Sequence, residues 1–331
     1  MEEIAVISPN RLLAGIAVSA TVLMAFPSAS LAQPVTIRVG HGSAAEEQLW
    51  LMKAKPDITP NQGKVYNLEF TLFRGGDTRY QAFEAGQLDV ATGSGHSAIF
   101  AASQGMKFKV VAGLSRESSK GFVTQYMVLD GSPIRSIKDL RGKTIGNNAA
   151  RSSIELWERI ALEKAGLNPN RDVNWAIVPF PSQGEAVRSG KLDLGAFPEP
   201  FATNEMRKGG MRTLFTSKDA NAYDEDLMNV MVTEAFAAKR PEVLRAFLAD
   251  LVAATKYYLA NERQAKQALL DSKLVMMPPE VFFNMKAYAR SADCRVDVAN
   301  LRRMQEDLLK HNFTKNRIDP ASFVDLSFLP K

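Results

Sequence analysis

One stretch of this chain constrains its fold more than any other, because it occurs twice. Ala85-Gly86-Gln87-Leu88-Asp89-Val90-Ala91-Thr92-Gly93-Ser94 returns in outline as Ser189-Gly190-Lys191-Leu192-Asp193-Leu194-Gly195-Ala196-Phe197-Pro198-Glu199. Each copy reads as a helix end, a glycine that stops it, an Asp at the start of a short apolar strand, and a loop of small or special residues. Two copies predict two similar lobes.

Around both copies strands and helices alternate. Val35 to Val39 reads as a strand that ends at Gly40-His41-Gly42-Ser43 and leads into a helix. Leu68 to Phe73 is a second strand, after which Asp77 can cap a helix running to Gly86. Val90 closes a third, the loop Thr92 to His96 enters a helix at Ser97, and Phe108 to Gly113 is a fourth. The alternation restarts at Thr144-Ile145-Gly146, where the loop Asn147 to Arg151 leads into a helix that Ser152 or Ser153 can cap. Val173 to Val178 follows, and then Pro179-Phe180-Pro181 as a break. Such alternation specifies an α/β fold with helices on the faces of a parallel or mixed sheet. Two longer extended runs, Phe122 to Leu129 and Leu227 to Thr233, read as crossover strands forming a hinge between the lobes. From Pro241 onward helix formers dominate, with apolar stripes at Val243, Phe247, Leu251, Ala254 and at Leu301, Met304, Leu308. The expected organisation is residues 33–125 plus 230–331 as lobe 1 and residues 126–229 as lobe 2.

The N-terminus is read separately. Leu12 to Phe26 is an apolar run preceded by Arg11 and followed by Ser30-Leu31-Ala32, the pattern of a signal peptide over residues 1–32 cleaved near Ala32. Removing those residues changes the formal net charge from +5 to +6. The Lys and Arg residues are scattered along helices without aromatic interleaving, so the charge does not read as a nucleic-acid surface. Cys294 is the only cysteine, which excludes a disulfide within the chain and a cysteine metal cluster. His41, His96 and His311 lie too far apart in pattern for a metal motif, and no cofactor motif is present. Arg74-Gly75-Gly76-Asp77 is a glycine-rich turn without the Gly-Lys-Ser/Thr that a phosphate loop needs.

Several runs together resemble the substrate-binding proteins of bacterial ABC importers, in the branch with sulfonate-, taurine-, nitrate- and thiamine-precursor-binding members. These are Ile137 to Ile145, Leu162-Glu163-Lys164-Ala165-Gly166-Leu167, both Gly-x-Leu-Asp elements, and Glu199-Pro200, where the family often has Trp-Glu-Pro. Here Phe197-Pro198 stands at the Trp position, and the cysteine-rich motif of the thiamine-precursor synthesis relatives is missing. The resemblance implies a two-lobed periplasmic-binding-protein fold, type II-like. It implies an exported, monomeric protein of the periplasm that captures a small anionic organic compound, a sulfonate or carboxylate, and hands it to an ABC permease in the inner membrane. It implies no catalysis. The alternative is an enzyme on the same fold acting on a small pyrimidine- or quinone-precursor-type substrate.

In open α/β sheets ligands sit beyond the carboxyl ends of the strands. That rule selects His41, Gly42 and Ser43; Thr92, Ser94, His96 and Ser97; Ala150, Arg151 and Ser152; and Phe197 and Glu199, with Tyr126 as a further apolar support. Small residues let backbone N–H groups approach an anion at a helix N-terminus, and Arg151 can add a charge-assisted contact. A plain helix cap accounts for the same Gly-Ser loops. Asp89 and Asp193 are expected to cap or pair within each lobe, and the loops that follow them, Thr92 to Ser97 and Phe197 to Glu199, to face each other across the cleft.

Overall fold

The computed structural model describes residues 33–331, so the leader reading at residues 1–32 lies outside the described residues. Ten strands are present among them: β1 (Val35–His41), β2 (Tyr66–Leu72), β3 (Val90–Ser94), β4 (Phe108–Glu117), β5 (Gln125–Leu129), β6 (Thr144–Asn147), β7 (Asn174–Ile177), β8 (Gly195–Phe197), β9 (Met211–Thr216) and β10 (Glu225–Thr233). Between and after them run α1 (Glu47–Ala54), α2 (Gly76–Glu84), α3 (Gly95–Ser103), α4 (Ser153–Lys164), α5 (Phe180–Arg188), α6 (Phe201–Lys208), α7 (Ser217–Ala220), α8 (Glu234–Lys239), α9 (Pro241–Ala260), α10 (Glu262–Asp271), α11 (Pro279–Asn284) and α12 (Val298–Lys310).

The first sheet has the order β2-β1-β3-β10-β4, parallel from β2 to β3 and antiparallel on both sides of β10. In the other half β6 and β7 pair in parallel, and β5 lies antiparallel between β8 and β9. A parallel bridge from Ile145 to Leu194 joins these pieces, giving the order β7-β6-β8-β5-β9. The two halves therefore repeat one strand order, with β10 and β5 in equivalent antiparallel places. The result is a mixed α/β architecture, as the alternation predicts.

The repeated motif acts the same way in both. Asp89 accepts the backbone N–H of Arg38 at 3.0 Å, and Asp193 accepts that of Thr144 at 2.9 Å, so each carboxylate ties its strand to the parallel neighbour. Leu88 packs over Gly40 and Leu192 over Gly146, where an added Cβ would lie only 2.4 and 2.3 Å from a leucine methyl carbon. Gly86 and Gly190 take positive φ of 71° and 74°, the left-handed backbone that glycine adopts at no steric cost as each helix ends.

Element ends differ from the sequence reading in instructive ways. β3 runs on through Thr92, Gly93 and Ser94 because β10 pairs with it from Ser94 to Val90. Phe122 precedes β5, so the chain crosses from one sheet to the other in segment 118–124, and it returns in segment 217–224 ahead of β10. Asp77 lies inside the first turn of α2 and does not cap it; Gly75 is the cap residue, without a side-chain bond. α5 starts already at Phe180, since Pro181 in a first turn forfeits no helical hydrogen bond.

α9 supplies much of the core behind the first sheet. Leu244, Phe247, Leu248 and Leu251 are fully buried against Ile37, Val39, Val111 and Val230, each contributing about 1.5–3 kcal/mol by apolar burial. Leu301, Met304 and Leu308 of α12 bury in the same way beneath α3 and β10.

Candidate functional site

A cavity of about 440 Å³ opens at the carboxyl ends of β1, β2 and β3 on one side and of β6 on the other. Gly42 to Glu46, Phe73 to Asp77, Arg79 and Tyr80 line it from the first half, Asn148 to Ile154, Phe180 and Pro198 from the second, and Tyr288 joins them from beside Phe122 in the crossing segment. Two helices begin at its edge. Ser94 caps α3 by accepting the Ser97 N–H at 3.1 Å, and Ser152 caps α4 by accepting the Glu155 N–H at 3.3 Å. The remaining N–H groups of each first turn carry the partial positive charge of a helix start.

These two starts also touch each other. Ser97 Oγ donates to the Arg151 carbonyl at 3.2 Å, and His96 Nδ1 lies 2.9 Å from Ser153 Oγ. The Ser94–Ser97 turn thus meets the Arg151–Ser153 turn, whereas the Glu199 N–H donates to the Tyr288 hydroxyl at 3.1 Å. Pro198 of the loop Phe197–Glu199 lines the same cavity as Ser94 and Ser97, while the start of α4 supplies the direct contact with the start of α3.

Of the residues singled out from sequence, Gly42, Ser43, Ser94, Ser97, Ala150, Arg151 and Ser152 line the cavity. Arg151 has φ of 58° and sits just before the cap. Its guanidinium rests over the rings of Phe100 and Phe313, at 5.7 and 5.1 Å, so packing on aromatics supports it as the helix start does not.

The other six stand behind the wall. His41 is buried with Nδ1 2.8 Å from the Gly42 carbonyl and 3.1 Å from Trp50 Nε1, and burial pushes its pKa down to about 4. Thr92 donates to Glu46 Oε1 at 2.9 Å. His96 is wholly buried with Nε2 3.3 Å from Glu225 Oε1, and burial holds it neutral, its pKa down at about 3. Tyr126 stacks on Phe215 with centroids 4.3 Å apart and donates to the Ile154 carbonyl. Phe197 is fully buried in the core, and Glu199 accepts from the Thr203 hydroxyl at 2.7 Å. Each is placed by alternation along its strand or by a local hydrogen bond, which turns the side chain inward and leaves the cavity to its neighbours.

Sequence reasoning missed Glu46, Arg79, Tyr80, Phe73, Phe100, Phe180 and Tyr288. Arg79 carried a legible signal, since it shares a helix face with Ala82 and Phe83, both buried in α2. An arginine on an apolar face needs a reason. Glu46 is fully buried, accepts the Gly42 N–H at 3.1 and 3.2 Å, and is pushed up to about 7 by burial, opposed by Arg79 and by these hydrogen bonds. Among the described residues no group of three or more His, Cys, Asp or Glu is gathered to hold a metal. Cys294 is buried against Thr255, far up in pKa at about 11, and is no poised nucleophile.

Two sheets of one strand order closing on a shared cavity define the periplasmic-binding-protein class of fold. The chain belongs to the NMT1-like family, whose profile matches residues 20–270. It is 23% identical over 298 residues to a protein of Escherichia coli (strain K12) named for binding aliphatic sulfonates, a match spanning 89% of this chain and 88% of that one. Among solved structures it is similar to the alkanesulfonate-binding protein SsuA from Xanthomonas axonopodis pv. citri bound to MOPS. That likeness has a TM-score of 0.73 and 17% identity, over 89% of this chain and 99% of that one. The periplasmic aliphatic sulphonate binding protein SsuA from Escherichia coli gives a TM-score of 0.66 and 18% identity, over 88% and 97% of the chains. The fold is shared as well by the desulfurization enzyme DszB, with a TM-score of 0.63 at 15% identity over 89% and 97% of the chains.

Proposed function

We propose that this protein is an exported solute-binding protein that captures a small organic anion, a sulfonate or carboxylate, and delivers it to an ABC permease. The observation that carries the reading is the convergence of α3 and α4, one from each half, with their N-termini and caps at the edge of a single cavity. A helix start stabilises an anion beside it, and two starts from opposite halves couple that stabilisation to closure. Phe73, Tyr80, Phe100, Phe180 and Tyr288 add apolar wall for the rest of the ligand. The expected lobes, residues 33–125 with 230–331 and residues 126–229, shift at their edges, because β10 from Glu225 pairs in the first sheet and β5 from Gln125 in the second. The two lobes therefore turn on segments 118–124 and 217–224. The leader at 1–32 is removed near Ala32, and the monomer works in the periplasm, the compartment named for the Escherichia coli sulphonate-binding structure. Ala150, Arg151, Ser152, Ser94, Ser97, Gly42 and Ser43 contact ligand directly; His41, Thr92, His96, Tyr126, Phe197 and Glu199 hold the wall in place.

An enzymatic role has one observation in its favour, the shared fold of the desulfurization enzyme. Against it, His41 and His96 are buried and held neutral behind the wall, and Cys294 is packed in the core, so the cavity carries none of the three as a nucleophile or base. Thermal unfolding of the purified protein with a panel of alkyl and aryl sulfonates, carboxylates and nitrate tests the binding role. A ligand raises the midpoint as its concentration exceeds its dissociation constant. A shift given only by neutral or cationic solutes would reject it, and consumption of a bound anion on standing would favour the enzyme.

A further inference from the structure

Arg79 is buried in a way that its own protein leaves unresolved. The residue is 6% exposed and lines the cavity, yet its guanidinium donates no hydrogen bond to any of the described residues. Its Nε is inaccessible and without a partner. Guanidinium offers five N–H donors in a planar fork and is always charged, so burying it without acceptors is unfavourable until one is supplied. The nearest carboxylate, Glu46, stands 3.7 Å from Nη1, close enough to attract and too far to bond.

Glu46, in contrast, is satisfied without Arg79, through the Gly42 N–H and the Thr92 hydroxyl. The fold makes room for this uneven pair. A Cβ on Gly42 would lie 2.7 Å from Arg79 Nη1 and 2.9 Å from Glu46 Oε1. Tyr80, next to Arg79 and also on the cavity wall, has a buried hydroxyl without a partner.

We propose that Arg79 is the anchor for the ligand's oxyanion and that Glu46 takes up one proton from solvent as the anion docks. The inference rests on the solute-binding reading and specifies its ligand: a carboxylate or sulfonate on an apolar body sized for a wall of Phe73, Phe100, Phe180 and Tyr288. The anion accepts the Arg79 N–H groups, and two negative charges then share one guanidinium in a dry site. Protonating Glu46 removes the repulsion while the hydrogen bond from Thr92 keeps an oxygen to go to.

The charged groups around Glu46 are Arg79 from α2 and Glu47 from α1, with His41 of β1 beside Arg79; Arg74, Asp77 and Glu84 lie further along the wall and Arg151 opposite. Of these, the carboxyl already pushed up to about 7 by burial is Glu46, whereas His41 sits at about 4 and is neutral throughout. Glu225, also near 7, is buried beside His96 and Trp157 and does not line the cavity.

The test uses benzenesulfonate, benzoate and MOPS with the whole purified protein, by titration calorimetry in bis-tris and in Tris, whose ionisation enthalpies differ. The expected result at pH 7.5 is net uptake approaching one proton, with affinity falling up to tenfold per pH unit above 7. Glu46→Gln abolishes both the uptake and the slope, and Arg79→Met weakens the anions at least a hundredfold. Wild-type affinity in Arg79→Met overturns the anchor and leaves the solute-binding reading standing. Binding in the wild type without proton uptake overturns the role of Glu46. Failure of all three anions to bind overturns the proposal together with the reading beneath it. Should Arg79→Met not fold, the proton count in wild type against Glu46→Gln decides.

Discussion

Single residues in this site are governed by what burial does to charge. Glu46 has its folded pKa raised from 4.5 to about 7, so between those values the native state holds a proton that the unfolded chain has lost. Stability from this group is therefore complete below about pH 4.5 and falls as pH rises through 7. His41 and His96 act oppositely, since their depressed values make the unfolded chain the better proton binder below about 6.5. Glu46→Gln removes only the first effect. Relative to wild type it gains stability between pH 4.5 and 7, by up to about 3 kcal/mol, which urea unfolding at a series of pH values measures. A difference that stays constant with pH would show that Glu46 titrates normally. At this scale Ser94, Ser97, Ser152 and Gly42 were legible in the sequence, because small residues before a helix have a local cause. Arg79 was harder: a lysine or arginine in a helix defaults to solvent, and its burial depends on the space that Gly40 and Gly42, forty residues away, leave open.

Elements are tied together by the repeated Gly-x-Leu-Asp unit. Leu88 and Leu192 lie over Gly40 and Gly146, so a methyl group on either glycine pushes a buried leucine out of place. Gly40→Ala and Gly146→Ala should each cost about 1–3 kcal/mol, the usual price of overpacking a filled core. Gly131, with nothing within 4 Å of an added Cβ, serves as the control and should change little on conversion to alanine. Equal effects at all three positions, measured by denaturant midpoints, would mean that glycine flexibility and not leucine packing is responsible. The motif and the stripes of α9 and α12 were readable as periodicity. The extent of β3 was not, because its last residues are strand only through pairing with β10, which lies far along the chain.

The whole molecule is joined across its two sheets by buried polar groups. Trp157 of α4 donates to both oxygens of Glu225 in β10, at 3.1 and 2.9 Å, and Asn221 donates to Oε1 at 3.1 Å. Nearby, Glu117 at the end of β4 accepts from the Thr124 backbone and hydroxyl and from the Ser217 hydroxyl, which clamps the two crossing segments together. Trp157→Phe keeps the ring packing roughly intact and withdraws one donor from a buried carboxylate, at a cost of about 1–3 kcal/mol. Glu225 is pushed up to about 7 by burial, so the donor matters most when the carboxyl is charged. The loss should be larger at pH 8 than at pH 5.5, and equal losses at both would assign the effect to packing alone.

Alternation of strands and helices, a twice-used turn motif and the small-residue loops after it were enough to specify an α/β fold with two similar halves and loops that line a cavity at the strand ends. Those features are local, and local chemistry writes them into consecutive residues. Which loops meet across the cleft, which side chains turn into the cavity, and the burial of Arg79 opposite a satisfied Glu46 were decided by tertiary structure. Each depends on distances between residues remote in sequence, and on the desolvation that only a closed core imposes.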